Sequence, residues 1–527
     1  MIWKIAKKEF LLNLMTFKFA VGTILCVVLM AVFMPVLIRE YQKRLGQYSV
    51  DVAANEAELR RAKVYQSITP TIYRPPNLLS VFSEGLEKRL GDSAEINPTN
   101  LWTEINPPNI YEIKTIPTET NPLLSIFPVL DISLIFEIVI SVMALLVAYD
   151  TISGERENGT LKLILSNTIA RHQVLFGKMI AGLITLFLPV TIAFITSLLI
   201  LLFFPMVNLT GTDWLRIGLM YLVSLVFTSV MYNIGMLFSC IARKSVISLI
   251  SGLFLWIIFV ALIPNGSIYL ASSLRPIELT EKYDAQLKAL RNKHEREIGG
   301  LSKTRTVFKG CLITRGAFNH FYIVACSPSY MESQRKHHKI IEPFKIKQAD
   351  EIWELQQGYF SNLIKQKHLA DAIARSSPVT IYKNLMSVLS GTDLGNFEHF
   401  TKCVRAYKNQ IVGYIRTNTD NFSLSSYFTP CKEGDWEEYE EMSKRREAQT
   451  QNKAERVKAS QAYKKWKEKK IEQIPSVISQ DFPKFTFKIQ NLLTGIHAIA
   501  TDLALLIFIA ALFFVLSLVA FLKSDVR

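Results

Sequence analysis

Six stretches of this chain are too long and too apolar for an ordinary soluble domain. They are Phe19–Ile38, Ile126–Ala148, Met179–Phe204, Ile217–Ala242, Ser245–Pro264 and Ala498–Leu522. A helix needs about 20 apolar residues to cross roughly 30 Å of hydrocarbon. Helices of soluble proteins average about 11–12 residues, so a large soluble core does not account for six such runs. The sequence therefore predicts a mainly α membrane protein with six transmembrane helices. Four runs contain no Asp, Glu, Lys or Arg; the second holds Asp131 and Glu137, and the sixth holds Asp502. The first is longer than a signal peptide's apolar region and is followed by no small-x-small cleavage site, so it reads as a retained span.

Lysine and arginine close to the spans set the orientation. With the N-terminus in the cytoplasm, the inner segments carry Lys4, Lys7, Lys8 and Lys18, then Arg156, Lys162, Arg171 and Lys178, then Arg243 and Lys244, then Lys523 and Arg527. The short outer loop Pro205–Arg216 carries only Arg216. Both termini are thus expected inside. Residues 1–18 then form an interfacial helix, in which Trp3, Ala6, Phe10, Leu14 and Phe17 fall on one stripe and Lys4, Lys7 and Lys8 lie off it. Such a helix suits the inner leaflet of a cell membrane.

Two long segments fall outside in this topology, 39–125 and 265–497. The first begins with a charged helical pattern, Asp51–Tyr65, and becomes rich in Pro and Asn (INPTNLWTEINPPN, IPTETNP). The second reads as a large, mostly helical domain, α or α+β. Glu281–Ile298 and Asp350–Arg375 are amphipathic, Gly434–Gln473 is a charged solvated helix or stalk, and Ile373–Tyr414 has the pattern of a packed core. The net charge of +15 resides largely in these exported segments. Long loops cross membranes regardless of charge, and no basic-aromatic module reads as a nucleic-acid site. Four of the six cysteines, Cys311, Cys326, Cys403 and Cys431, lie in the larger segment. An oxidising compartment allows them two disulfides in three connectivities, or four buried thiols.

No G-x-x-x-x-G-K-[ST] phosphate loop occurs, so the chain is not expected to hydrolyse nucleotide. His337-His338 lacks a second cluster at ligand spacing, and no metal site is expected. Carboxylates inside spans are costly and mark function by default. Asp131 and Asp502 lie near the outer ends of their spans, where water is within reach. Glu137 lies deeper; it either lines a path or bonds a neighbouring helix.

The remaining signal is the polar interruption at 149–178, set between two spans. Glu155 and Glu157 come early and Lys162 late, which complements a helix dipole. Leu161, Ile164 and Leu165 make an apolar face, and Ser166-Asn167-Thr168 breaks the element before a second helix. The sequence Asp150-Thr151-Ile152-Ser153-Gly154-Glu155-Arg156-Glu157-Asn158-Gly159-Thr160-Leu161, followed by Leu165-Ser166, Arg171 and Gly177-Lys178, resembles the cytoplasmic signature of ABC-2-type transporter permeases. Ser327-Pro328-Ser329 and Ser390-Gly391-Thr392-Asp393 in the large segment resemble the subgroup with an extracytoplasmic insertion between spans five and six. The resemblance implies a non-catalytic exporter subunit in a bacterial inner membrane. It implies one half of a homo- or heterodimer, with ATP held by a separate ATPase subunit and no cofactor in this chain. It assigns coupling to Glu155, Arg156, Glu157, Gly159, Thr160, Leu161, Ile164 and Leu165. The alternative is an assembly or mechanotransmission protein whose outer domain, with its own partner, is moved by the ATPase without substrate flux.

Overall fold

The computed structural model describes residues 2–63, 68–88, 91–96, 131–166, 170–204, 209–277, 280–301, 311–315, 321–418, 434–448, 453–473, 476–490 and 492–523. The start of the second apolar run (126–130), most of the Pro- and Asn-rich stretch (97–125) and Cys431 lie outside them.

Each apolar run forms a helix long enough to cross a membrane: Phe17–Arg60, Ile132–Glu157, Arg171–Leu202, Gly211–Ile241, Ser245–Leu274 and Ile499–Lys523. These are spans 1 to 6; the last residues of the second, Ser153–Glu157, form a short helix of their own beyond a turn at 149–152. Polar side chains start several of them. Thr16 accepts from Phe19 N at span 1, and Thr210 and Asp213 form a reciprocal capping box at span 4. Span 1 does not stop at the end of its apolar run. Its helix continues unbroken through the charged pattern to Arg60, which at about 1.5 Å per residue carries it well beyond the hydrocarbon.

Spans 2 and 4 are the innermost, and spans 1, 5 and 6 leave most of their surface outward. Lipid tails give no hydrophobic force between helices, so small residues that let backbones approach decide the packing. Gly235 of span 4 sits against Ala148 of span 2, Gly22 of span 1 against Met143, and Gly182 of span 3 against Tyr232. Each of spans 2 and 5 contains one π-helical turn, Phe136–Ile140 and Ile258–Leu262.

The long segments between spans 1 and 2 and between spans 5 and 6 share a second core. Leu59, Ile68, Ile72 and Ile96 of the first pack with Phe397, Phe400, Val404 and Ile411 of the second. Phe482, Phe485 and Phe487 close this core edge-on or tilted against Tyr414, Tyr407, Phe400 and His399. Burial pushes the Tyr407 hydroxyl up to about 12, which keeps it the donor to Pro483 O. The Gly434–Gln473 run is two helices, Asp435–Ala448 and Lys453–Gln473. Lys470 joins them through Asp435 and Glu438, at 2.6 and 2.7 Å.

The expected core stretch Ile373–Tyr414 divides between the two bodies. Its helix Leu394–Asn418 belongs to the second core. Its helix Pro378–Ser390 belongs to the membrane bundle, where Val379, Ile381, Tyr382, Leu385, Met386 and Leu389 are buried among the spans.

Replacing Gly235 by Leu would place a Cβ 2.7 Å from that of Ala148. The expected cost is about 1–3 kcal/mol of overpacking, read as a lower unfolding midpoint in detergent. Gly218→Ala, with nothing within 4 Å of its added Cβ, should leave the midpoint unchanged.

Candidate functional site

The polar interruption folds into a compact hairpin of two short helices, Ser153–Glu157 and Thr160–Leu165. Gly159 joins them in the left-handed region, φ 71°, which a residue with a Cβ adopts only at a cost of about 1–2 kcal/mol. The first helix is bonded to the ends of several spans by side chains the sequence supplies in immediate succession. Glu155 Oε1 lies 2.7 Å from Lys178 Nζ of span 3. Arg156 donates to Ala242 O and Cys240 O at 2.8 and 3.1 Å, so its guanidinium caps the C-terminus of span 4. Glu157 Oε2 accepts from Ser245 N and Oγ at 3.0 and 2.8 Å and so caps the N-terminus of span 5. Ser239 Oγ accepts from Ile152 N and Ser153 N. Just before the hairpin, Asp150 and Tyr149 receive Lys18 of span 1. Just after it, Arg171 donates to Leu522 O of span 6.

Lys178 is the buried centre of this network, 3% exposed, and a second carboxylate, Glu9 of the N-terminal helix Ile2–Leu14, reaches it at 3.0 Å. The same helix packs on span 3, with Ile5 against Gly177. Ala6 of the expected stripe faces inward with it, whereas Trp3 is 68% exposed; the stripe is therefore split between protein and surroundings. Lys178 and Glu9 were not legible as partners, because they stand far apart in sequence and the lysine adjoins an uncharged run.

The second hairpin helix separates residues that the sequence grouped. Leu161 is 1% exposed and anchors the hairpin in the bundle core; Ile164 and Leu165 are half-buried. Leu163, which sequence patterning passed over, is 69% exposed. Thr160 and Lys162 are exposed beside it. The hairpin therefore has an inner side tied to the spans and an outer side carrying one large apolar residue among polar ones.

The intramembrane carboxylates all have protein partners. Asp131 caps span 2, accepting from Leu134 N and Ser133 Oγ, and also from Glu84 N. Asp502 meets Arg375 Nε at 2.7 Å. Neither simply reaches water, as their positions near span ends led us to expect. Glu137 is buried and lies 2.8 Å from Lys383 Nζ of helix Pro378–Ser390. Cys311 and Cys326 are backbone partners in the ribbon Cys311–Arg315/Phe321–Cys326, and Cys403 is a free thiol.

Lys178→Met strands two carboxylates at a buried position and should cost about 3–5 kcal/mol in detergent-solubilised protein, measured by unfolding. Adding Glu9→Gln and Glu155→Gln should recover most of that loss, since the uncompensated charge, and not the missing contact, causes it.

A 52-residue segment is 48% identical to a protein of Stutzerimonas stutzeri named as a probable ABC transporter permease protein, NosY. The match covers 10% of this chain and 19% of that relative's length. The family model for ABC-2 family transporter proteins matches residues 3–526. Six membrane-crossing helices and a charged hairpin bonded to their ends agree with that match, and the chain belongs to the ABC-2 family of transporter proteins.

Proposed function

We propose that this chain is the permease subunit of an ATP-driven exporter, with the hairpin 153–165 as the docking element for a separate ATP-binding-cassette subunit. The observation that carries the reading is the two-sided hairpin. Its inner side is hydrogen-bonded or ion-paired to spans 3, 4 and 5, and its outer side presents Leu163, Thr160 and Lys162. A partner that displaces the hairpin acts at once on the ends of three spans. Coupling needs differential contact in two states, and short bonded helices move as one piece between them. The basic residues near the spans favour a cytoplasmic side for this hairpin and both termini, with the second core outside. ATP is held by the partner, and a second permease chain completes the membrane unit. The exposed faces of spans 1, 5 and 6 are available to that chain and to lipid.

A second reading, movement of the outer domain without flux, draws support from helix Pro378–Ser390, a piece of the long fifth-to-sixth segment set inside the bundle.

Leu163→Arg changes only an exposed side chain. When the chain is co-reconstituted with its ATPase subunit, this variant should lose at least tenfold of the association, with an unchanged unfolding midpoint. Leu161→Asp, by contrast, should lower the midpoint itself. Unaltered association in Leu163→Arg would refute docking at this surface.

A further inference from the structure

Helix Pro378–Ser390 has 13 residues, far too few to cross a bilayer. It enters the bundle from the second core and is continuous with that core on both sides. Helix Pro328–Ala374 precedes it, and Leu394–Asn418 follows after a turn at Gly391, φ 70°. Tyr382 stacks on Phe227 of span 4 at 4.4 Å, and its hydroxyl meets Ser224 at 3.3 Å. Phe227 stands midway along span 4, so the helix reaches the middle of the bundle.

Two of its polar attachments fall on the π-turns of spans 2 and 5. A π-turn inserts one residue into a helix and leaves carbonyls without their usual partners; such turns recur at functional sites. In span 5, Ser377 Oγ donates to Phe259 O, inside the π-turn, at 2.7 Å. In span 2, Lys383 Nζ pairs with Glu137, also inside the π-turn, at 2.8 Å. Ser141 Oγ donates to Glu137 O and Ile138 O and accepts from Trp256 Nε1 of span 5 at 2.7 Å, linking spans 2 and 5 next to both turns. The far end of the inserted helix is held by Arg216 of span 4, which donates to Leu389 O and Gln490 O, and by Asn77, which donates to Ser390 O. Arg375, three residues before the helix, holds Asp502 of span 6.

We infer that Pro378–Ser390 is the strut through which the spans and the second core move as one, and that Lys383 is the positioning residue that seats it on span 2 through Glu137. Lys383 is one of two charged residues that bind this strut region to the spans from its own side. Unlike Arg375, it lies within the helix and bonds a carboxylate at a π-turn. The π-turn of span 5 supplies a reason for one of these attachments, since there the backbone carbonyl of Phe259 accepts from outside its own helix, whereas span 2 offers the side-chain carboxylate of Glu137. The inference goes beyond docking at the hairpin and holds whether or not cargo crosses.

The test needs no ATPase subunit. Spin labels at Lys402, exposed on Leu394–Asn418, and at Leu222, exposed on span 4, report the separation of the two bodies in full-length chain in lipid nanodiscs. The wild-type pair should give one narrow distance. Glu137→Met/Lys383→Met replaces the pair, whose carboxylate is buried and whose lysine is partly exposed, by apolar residues of similar volume, a change expected to be close to neutral for stability. This double variant should keep its unfolding midpoint and yet lose the single distance, giving a broadened or split distribution. Lys383→Arg, which retains the charge, should restore the narrow one. A distribution in the double variant as narrow as the wild type would overturn the inference. A lowered midpoint with an unchanged distribution would overturn it equally, reducing the pair to a packing contact.

Discussion

Hydrocarbon offers no hydrogen bonds, so each polar group carried into the spans has to find its partner within the chain. That constraint organises the whole molecule. Asp131 finds backbone amides, Asp502 finds Arg375, and Glu137 finds Lys383. The hydroxyls of Thr185, Ser197, Ser224 and Thr228 turn back to carbonyls of their own helices. Glu137 and Asp502 find their partners in remote parts of the sequence. The same pairs that make the spans tolerable in lipid therefore also fasten distant elements to them.

The pairs gather at the two ends of the bundle. At one end Lys178 holds Glu155 and Glu9, while Arg156 and Glu157 close the facing ends of spans 4 and 5. At the other, Lys383, Arg375 and Arg216 hold an inserted helix against spans 2, 6 and 4. Spans 2 and 4, the most buried, contact both groups. A displacement at the hairpin thus acts on spans 2 and 4, which also carry groups that hold the inserted helix, and this is the physical content of the proposed coupling.

Much of this was legible in the sequence, and what was not has a common cause. Six runs of about 20 apolar residues admit one solution in lipid, so the spans were read without ambiguity. Glu155-Arg156-Glu157 was read as important, although nothing local says that the three bind three different spans. The sequence pattern points to Leu161 and passes over Leu163, because in a six-residue helix the docked side is decided by the surface beneath it. The pattern of Ile373–Tyr414, which includes Pro378–Ser390, points to the core of a separate domain. Helix Pro378–Ser390 is too short for a span and carries Lys383 and Asn384, and its place in the bundle depends on Glu137, Arg216 and Asp502, each more than a hundred residues away. Local pattern sees propensity and length, but it does not see a partner that tertiary structure brings in.

The central claim is that the hairpin meets an ATPase subunit through its outer side while its inner side grips the spans. The most direct measurement is site-specific photo-crosslinking of the assembled complex, with the photoreactive group at position 163, at position 161 or at position 402. The account predicts a crosslink to the ATPase subunit from 163 alone. A complex that forms without a crosslink from 163, or that crosslinks equally from 402 in the second core, would contradict it.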